Sequence, residues 1–334
     1  MGKIKTKDGT FEMLGVGLDV GRRRVRVLKA DRDAEGKVRL LGAAIANVPV
    51  EGDHSLNLKP LFKGASTHGS AAHCNLGPIR AILHEVEFPP MEGEELGGAI
   101  RIEAAQLIPD LSDMVLDYQI LPSPGRNNGG APGQQAEKGD ANRKIRVMVL
   151  AAPRKAIQER SALFDHAKVD VRSVVPDGVA IANALLALRG GGEAPEMALD
   201  VSLGGTNVVA VDRGGEMRAP VVRYVQGGTL LMEDDEPGRE RNRLRERWLG
   251  EVERTLEFVA TRFGKTPENI LILGDMAFSP LCLEWLEANL GKPVVIWNPL
   301  AEMAQGKRAP ERDWIRENGP HFAVAAGLAV TEGK

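Results

Sequence analysis

Two aspartates in this chain each end an apolar run and precede a glycine-rich turn. The first stands in Met13-Leu14-Gly15-Val16-Gly17-Leu18-Asp19-Val20-Gly21, followed by Val25-Arg26-Val27-Leu28. The second stands in Met197-Ala198-Leu199-Asp200-Val201-Ser202-Leu203-Gly204-Gly205, followed by Asn207-Val208-Val209-Ala210-Val211. Glycines in such a turn let consecutive backbone N–H groups converge on an anion, because no Cβ stands in the way. A carboxylate at the strand end holds Mg2+ through water, since that ion keeps most of its waters and takes few carboxylates. Two turns of this kind facing each other would clamp a Mg-nucleotide. Asp19 and Asp200 would be the metal-water ligands, with Gly17, Gly21, Gly204, Gly205 and Thr206 around the phosphates. Phosphoryl transfer needs positioned charge more than a covalent nucleophile, so few residues suffice. The same segments also read as two plain hairpins in a packed sheet.

The bulk composition narrows the setting. A chain of 334 residues fits two lobes, on a prior of roughly 100–200 residues per domain. A net charge of -3 argues against a general nucleic-acid binder. Arginines cluster at Arg22–Arg24 and again at Arg239, Arg241, Arg243, Arg245 and Arg247, but acids interleave the second group, which reads as a solvated helix face. Cys74 and Cys282 are far apart and lack ligand-like spacing, as expected in a reducing cytoplasm without structural zinc. No run of about 18 apolar residues is present to span a membrane.

The elements that must position the two aspartates alternate between strand and helix. Leu14–Val20, Arg24–Ala30 and Val38–Val48 read as strands, and residues 51–75 as a polar stretch with an apolar island at Leu61-Phe62. A strand at Ala81–Phe88 is followed by a helix through Leu96, Ile100, Ala104 and Leu107. Strands at Val115–Leu121 and Ile145–Ala152 flank residues 123–142, a flexible hairpin tip rich in Gly, Pro, Asn and Gln. Helices follow from Pro153 through Ala167 and over Val179–Leu188. The second half repeats the scheme: the Asp200 hairpin, a strand at Val221–Val225, a long helix through Leu244, Trp248, Val252, Leu256, Val259 and Phe263, and strands at Ile270–Leu273 and Val294–Trp297. The small residues Ala323–Ala329 suit a tightly packed helix. This alternation is that of an α/β fold.

The order of these segments resembles the PilM family, actin-like cytoplasmic proteins of type IV pilus assembly with cousins in type II secretion. The resemblance runs over nearly all of 14–330. It is carried by Gly17-Leu18-Asp19-Val20-Gly21, Glu87-Phe88-Pro89-Pro90-Met91, Ile102-Glu103-Ala104, Ile108-Pro109, Leu116-Asp117-Tyr118-Gln119-Ile120-Leu121, Val149-Leu150-Ala151-Ala152-Pro153, Thr206-Asn207-Val208-Val209, Gly227-Gly228 and Ala325-Ala326-Gly327-Leu328-Ala329. It implies an actin-like ATPase (ribonuclease H-like) fold of two lobes, 13–195 and 196–330, around a cleft for ATP and Mg2+. It further implies a subdomain inserted at about 75–168 and a reduced outer subdomain at about 229–264. By the same resemblance, a groove on the first lobe and its insert takes the cytoplasmic N-terminal peptide of a PilN-like bitopic membrane protein. The chain would then sit in the cytoplasm at the inner face of the inner membrane, linked to pilus motor ATPases. Pro89 and Met91 are apolar groove candidates.

Three departures from the family pattern bear on the nucleotide. Arg22 stands where a Ser or Thr hydroxyl usually donates to phosphate; it either supplies a cation to phosphate or lies in solvent. The second loop normally reads Asp-x-Gly and here reads Asp200-Val201-Ser202. If position 202 requires a left-handed conformation, a non-Gly residue there costs roughly 1–2 kcal/mol. The adenine-side loop normally carries two or three glycines, and here Gly274 is followed by Asp275 and Met276. The expectation is a scaffold with a degenerate nucleotide site. The alternatives are a working Mg-ATPase of the same fold or a small-molecule kinase, whose base would be a carboxylate such as Asp117 or Asp177.

Overall fold

Along the central strands of the two larger sheets apolar residues point to both sides, so these strands are buried on both faces. A computed structural model describes residues 3–6, 9–48, 58–67, 71–77, 79, 81–121, 144–203, 205–214, 218–232, 238–274, 277 and 279–331, with backbone only at 3–6, 9–13, 230, 232 and 281. The predicted tip at 123–142 lies outside these residues.

The chain begins with β1 (Lys3–Thr6), β2 (Gly9–Val20), β3 (Arg24–Arg32), β4 (Val38–Asn47), α1 (Lys59–Gly64) and β5 (Ala72–Asn75). Next come β6 (Ile82–Phe88), α2 (Gly93–Leu107), β7 (Met114–Ile120), β8 (Ile145–Pro153) and α3 (Arg154–His166), then β9 (Val171–Val175) and α4 (Asp177–Arg189). The remainder is β10 (Glu196–Val201), β11 (Gly205–Val211), β12 (Val221–Gln226), α5 (Thr229–Met232), α6 (Arg239–Phe263), β13 (Ile270–Gly274), α7 (Pro280–Leu290), β14 (Val294–Ile296), α8 (Pro299–Glu302), β15 (Ala304–Gln305), α9 (Arg312–Asn318) and α10 (Ala323–Ala329).

Two sheets share one topology. In the first, the order β4-β3-β2-β5-β9 runs antiparallel from β4 to β2 and parallel from β2 to β9, with β15 added beside β4. The second repeats it as β12-β11-β10-β13-β14, again antiparallel through three strands and parallel through the last two. The Asp19 and Asp200 hairpins therefore occupy equivalent central positions. Paired sheets of this topology constitute the actin-like, ribonuclease H-like fold.

The layers follow from side-chain alternation. On β10 and β13, Met197, Leu199, Val201, Ile270 and Ile272 face α6 and α7, packing around Trp248 and Val252. Their neighbours Ala198, Leu271 and Leu273 face the other way, into a core shared with α4, α10, and Leu28 and Leu40 of the first sheet. Helices α4 and α10 thus lie between the two sheets. The outer face of the first sheet packs Val16, Leu18, Val25 and Val27 against α1 and Phe164 of α3.

The segment between β5 and β9 forms its own layer. Strands β6-β8-β7 make an antiparallel sheet, and Leu96, Ile100 and Ala104 of α2 pack on Val147, Val149 and Ala151 of β8. Met91 packs against this core, whereas Pro89 is exposed. Glu85 of β6 ties the layer to the second sheet's side. Its carboxylate accepts from Arg146 Nε at 2.6 Å, Arg262 Nη2 at 2.6 Å and the Ala219 backbone N–H at 3.1 Å.

Candidate functional site

Both aspartates lie at the open end of their sheets, each opposite a polar cross-strand partner. The register pairs Asp19 with Arg26 across the first hairpin and Asp200 with Asn207 across the second. Directly opposed positions bring side chains within reach of each other. Arg26 Nη1 donates to Asp19 Oδ2 at 2.7 Å, and Asn207 Nδ2 donates to Asp200 Oδ2 at 3.2 Å. The other Asp19 oxygen accepts from Asn75 Nδ2 at 2.9 Å. Asp19 is buried at 3% exposure, and both its oxygens are engaged by the chain itself.

Asn75 ends β5 beside Asp19 and organises the floor of the cleft. Its Oδ1 accepts from the Val20 N–H at 2.8 Å, and its Nδ2 also reaches Asp177 Oδ1 at 3.2 Å. Arg160, on α3 of the inserted segment, closes the group. It donates through Nε to the Asn75 carbonyl at 3.0 Å and through Nη2 to the Val20 carbonyl at 2.7 Å.

Asp177 opens α4 and faces the same cleft, with Oδ1 accepting from the Gly77 N–H at 2.9 Å. Burial first, then the nearby charges of Asp19 and Asp200, raise its pKa to about 7, against the opposing pull of Arg160 and the Gly77 hydrogen bond. His321 is pushed the other way, to about 3, by burial and by Arg24 and Arg26. It is therefore a neutral acceptor, with Arg24 Nη1 at 2.6 Å from its Nε2.

These two groups link stability to pH with opposite signs. Folded Asp177 holds its proton more tightly than the unfolded chain does, so stability falls as pH rises from about 4 to about 7. Folded His321 resists protonation, so stability falls as pH drops below about 6.5 toward 3. Asp177→Asn keeps an acceptor and removes the titration. Its stability relative to wild type is expected to be about 3 kcal/mol more favourable at pH 8 than at pH 5, at about 1.36 kcal/mol per pKa unit. Denaturant melts at both pH values check this; equal differences would contradict it.

The other residues singled out in the sequence divide between the cleft and the packing around it. Gly21, Arg22, Ser202 and Gly274 line the cleft with Asp19 and Asp200. Gly17 does not: a Cβ there would stand 2.1 Å from the Ala325 carbonyl, so this glycine lets α10 lie against β2. Thr206 is fully buried, donating to the Gly227 carbonyl at 2.8 Å and accepting from Trp248 Nε1 at 2.9 Å. Gly205 seats the Tyr224 ring, and Gly228 lies against the Ser202 carbonyl. Gly227 adopts a φ of +118°, which favours glycine. Gly204 and Asp275 lie outside the described residues. The strain foreseen at position 202 is absent, since the positive φ values among the described non-glycine residues belong to Ser66, Asp110 and Lys168. The Ser202 N–H and Oγ both donate to the Gly205 carbonyl, at 3.0 and 2.9 Å, so this turn closes on itself.

Mg2+, the metal that the actin-like fold implies, does not fit at Asp19. A cation bound to that carboxylate would displace Arg26 or sit against its guanidinium, and a divalent and a unit positive charge at about 4 Å repel by about 8 kcal/mol near a protein surface. The residue that stands against the metal is Arg26, a cross-strand cation supplied by the first hairpin.

No protein-family model and no curated protein matches the sequence. Solved structures do match. A chain of the PilM-PilN type IV pilus biogenesis complex superposes with a TM-score of 0.69 at 22% identity, covering 96% of this chain and 100% of that one. The ethanolamine utilization protein EutJ from Carboxydothermus hydrogenoformans gives 0.42 at 14% identity, covering 99% and 92%. The cytoplasmic domain of EpsL, an inner membrane component of the type II secretion system of Vibrio cholerae, gives 0.44 at 12% identity, covering 95% of each. By its sheet topology and the first of these superpositions, the chain has the two-lobed actin-like fold of that pilus-complex protein.

Proposed function

We infer that this chain is a docking scaffold of a type IV pilus or type II secretion-like assembly at the cytoplasmic face of the inner membrane. Its partner is the cytoplasmic N-terminal tail of a PilN-like bitopic membrane protein, taken in the groove between the first lobe (13–195) and its insert. Pilus motor ATPases are further partners of the same platform. The observation that carries this reading is the likeness over the whole chain, insert included, to a protein solved in a PilM-PilN complex. Membrane association comes through the partner: among the described residues no helix is long and apolar enough to cross a membrane.

The nucleotide part of the fold is degenerate in this reading. Arg26 neutralises Asp19, Thr206 is spent on Trp248 and Gly227, and the Ser202 N–H is satisfied within its own turn. A Mg-ATPase reading draws support from the convergence of Asp19, Asp177 and Asp200 on one cleft, and Arg26 stands against it. The test is co-expression with the bitopic partner, intact or lacking its cytoplasmic tail. This chain is expected in the membrane fraction with the intact partner and in the soluble fraction with the truncated one. The same distribution with both partners would overturn the docking reading.

A further inference from the structure

The inserted layer leaves one strand edge open. Strand β7 closes the order β6-β8-β7, and among the described residues no strand pairs with its outer side. The opposite edge, β6, is the one tied to the second lobe through Glu85. The Leu121 N–H donates to the Arg146 carbonyl at 2.8 Å, which fixes the phase of the β7-β8 ladder. In an antiparallel pair, residues bonded across the ladder alternate with residues whose N–H and C=O point away. With Ile120 opposite Val147, Leu116 and Ile120 therefore turn these groups to the open side. Proteins usually blunt such an edge with lysine, proline, a bulge or a very short strand. Here β7 runs for 7 residues without a register shift and carries neither lysine nor proline.

The side chains beside this edge are apolar, and the charge around them has one sign. Tyr118 and Ile120 lie opposite Val149 and Val147, on the face that α2 covers at β8. They are nevertheless 36% and 53% exposed, because β7 lies beyond that cover. Residues 92–120 hold seven carboxylates against one cation, Arg101. Glu92, Glu94 and Glu95 are exposed at the start of α2, just after β6 ends opposite Ile145. They stand at the same end of the layer as Ile120. An open strand edge recognises another extended backbone, and side chains at alternate positions supply the specificity. The carboxylates favour a basic segment and repel an anionic bilayer.

We propose that the outer edge of β7 is a docking site for a basic, extended segment of a partner protein. That segment adds a strand to the insert's sheet, sets apolar side chains on Tyr118 and Ile120, and pairs its lysines or arginines with the acids at the start of α2. The proposal concerns the insert's outer edge and not the groove between insert and first lobe. It does not depend on the docking reading, and its failure would leave that reading untouched.

Selection from a displayed library of random peptides, with the full chain as bait, tests it. The enriched peptides are expected to carry net positive charge and apolar residues at every second position, and to lose affinity steeply with added salt. N-methylation of alternate peptide amides should abolish binding in one phase and spare it in the other, because only every second N–H faces β7. Ile120→Lys changes an exposed side chain on the open edge, and the double variant Glu94→Lys, Glu95→Lys reverses exposed charge beside it. Each is expected to weaken the selected peptides about tenfold or more. No enrichment, or peptides that bind the Ile120→Lys chain as tightly as wild type, would overturn the proposal. So would a dimer of the wild-type chain that Ile120→Lys dissolves, or binding to phosphatidylglycerol vesicles that the same change removes, since the occupant would then be a second copy or a membrane.

Discussion

Gly327→Ala should destabilise this protein by about 3 kcal/mol or more, at the upper end of what overpacking costs. A Cβ at position 327 would stand 1.6 Å from the Ala180 carbonyl oxygen, and that atom belongs to backbone rather than to a movable side chain. Helix α10 would have to separate from α4. That separation would pull α10 from β2 as well, where Gly17 meets the Ala325 carbonyl. Because α4 and α10 form the layer between the two sheets, the strain reaches both hairpins. The control is Gly98→Ala in α2, where a Cβ meets nothing within 4 Å. That change should be neutral or stabilising by about 0.5–1 kcal/mol, the ordinary glycine penalty in a helix. Denaturant melts of the two variants should therefore move in opposite directions. A Gly327→Ala melt that overlays the wild type would contradict the layered packing.

Asp19→Ala should cost about 3–5 kcal/mol, the penalty for leaving one member of a buried ion pair without its partner. The side chains of Arg26 and Asp19 are only 11% and 5% exposed, and Asn75 Nδ2 loses an acceptor in the same step. Asp200→Ala removes the bond that Asn207 Nδ2 makes to it across the second hairpin, a neutral donor's bond of about 1 kcal/mol. A carboxylate reserved for a hydrated metal would show the reverse: little loss of stability and a large loss of ligand binding. Thermal melts of both variants without nucleotide separate the two situations. An Asp19→Ala protein as stable as wild type would count against the structural role given to Arg26.

Much of this architecture is legible in the sequence because the central strands of the second sheet are written in long, mostly apolar runs. Glu196–Val201 and Gly205–Val211 are buried almost throughout and can be read as strands by inspection. The two Asp–Gly hairpins mark equivalent positions before any coordinate is known. The parallel strands β5 and β9 are not legible in the same way. Ala72-His73-Cys74-Asn75 has four residues and little β-propensity, and Val171–Val175 has five, too few for a period to emerge. Their strand state comes from burial between neighbours, a tertiary effect. Helix α1 had local signals, Pro60 in its first turn followed by the apolar Leu61-Phe62, within a segment read as polar.

The site divides along the same line. Asp19 and Asp200 stand out because each ends an apolar run. Arg26 stands in the strand after the turn with nothing to single it out by type, but counting back from the turn sets it opposite Asp19, so the register is the signal that finds it. Asn75 and Arg160 offered no such signal. One ends a strand hidden in a polar stretch, and the other sits on an amphipathic helix whose apolar positions define its pattern. Their meeting at Asp177 depends on the inserted segment packing against the first sheet.

The most direct test of the scaffold reading measures binding of the partner's cytoplasmic tail as a fluorescent peptide, by anisotropy, to the full chain. Titrations run in EDTA and in Mg-ATP. A docking platform with a degenerate nucleotide site predicts saturable binding with the same Kd in both buffers. Absence of binding in both, or binding that appears only with Mg-ATP, would contradict it.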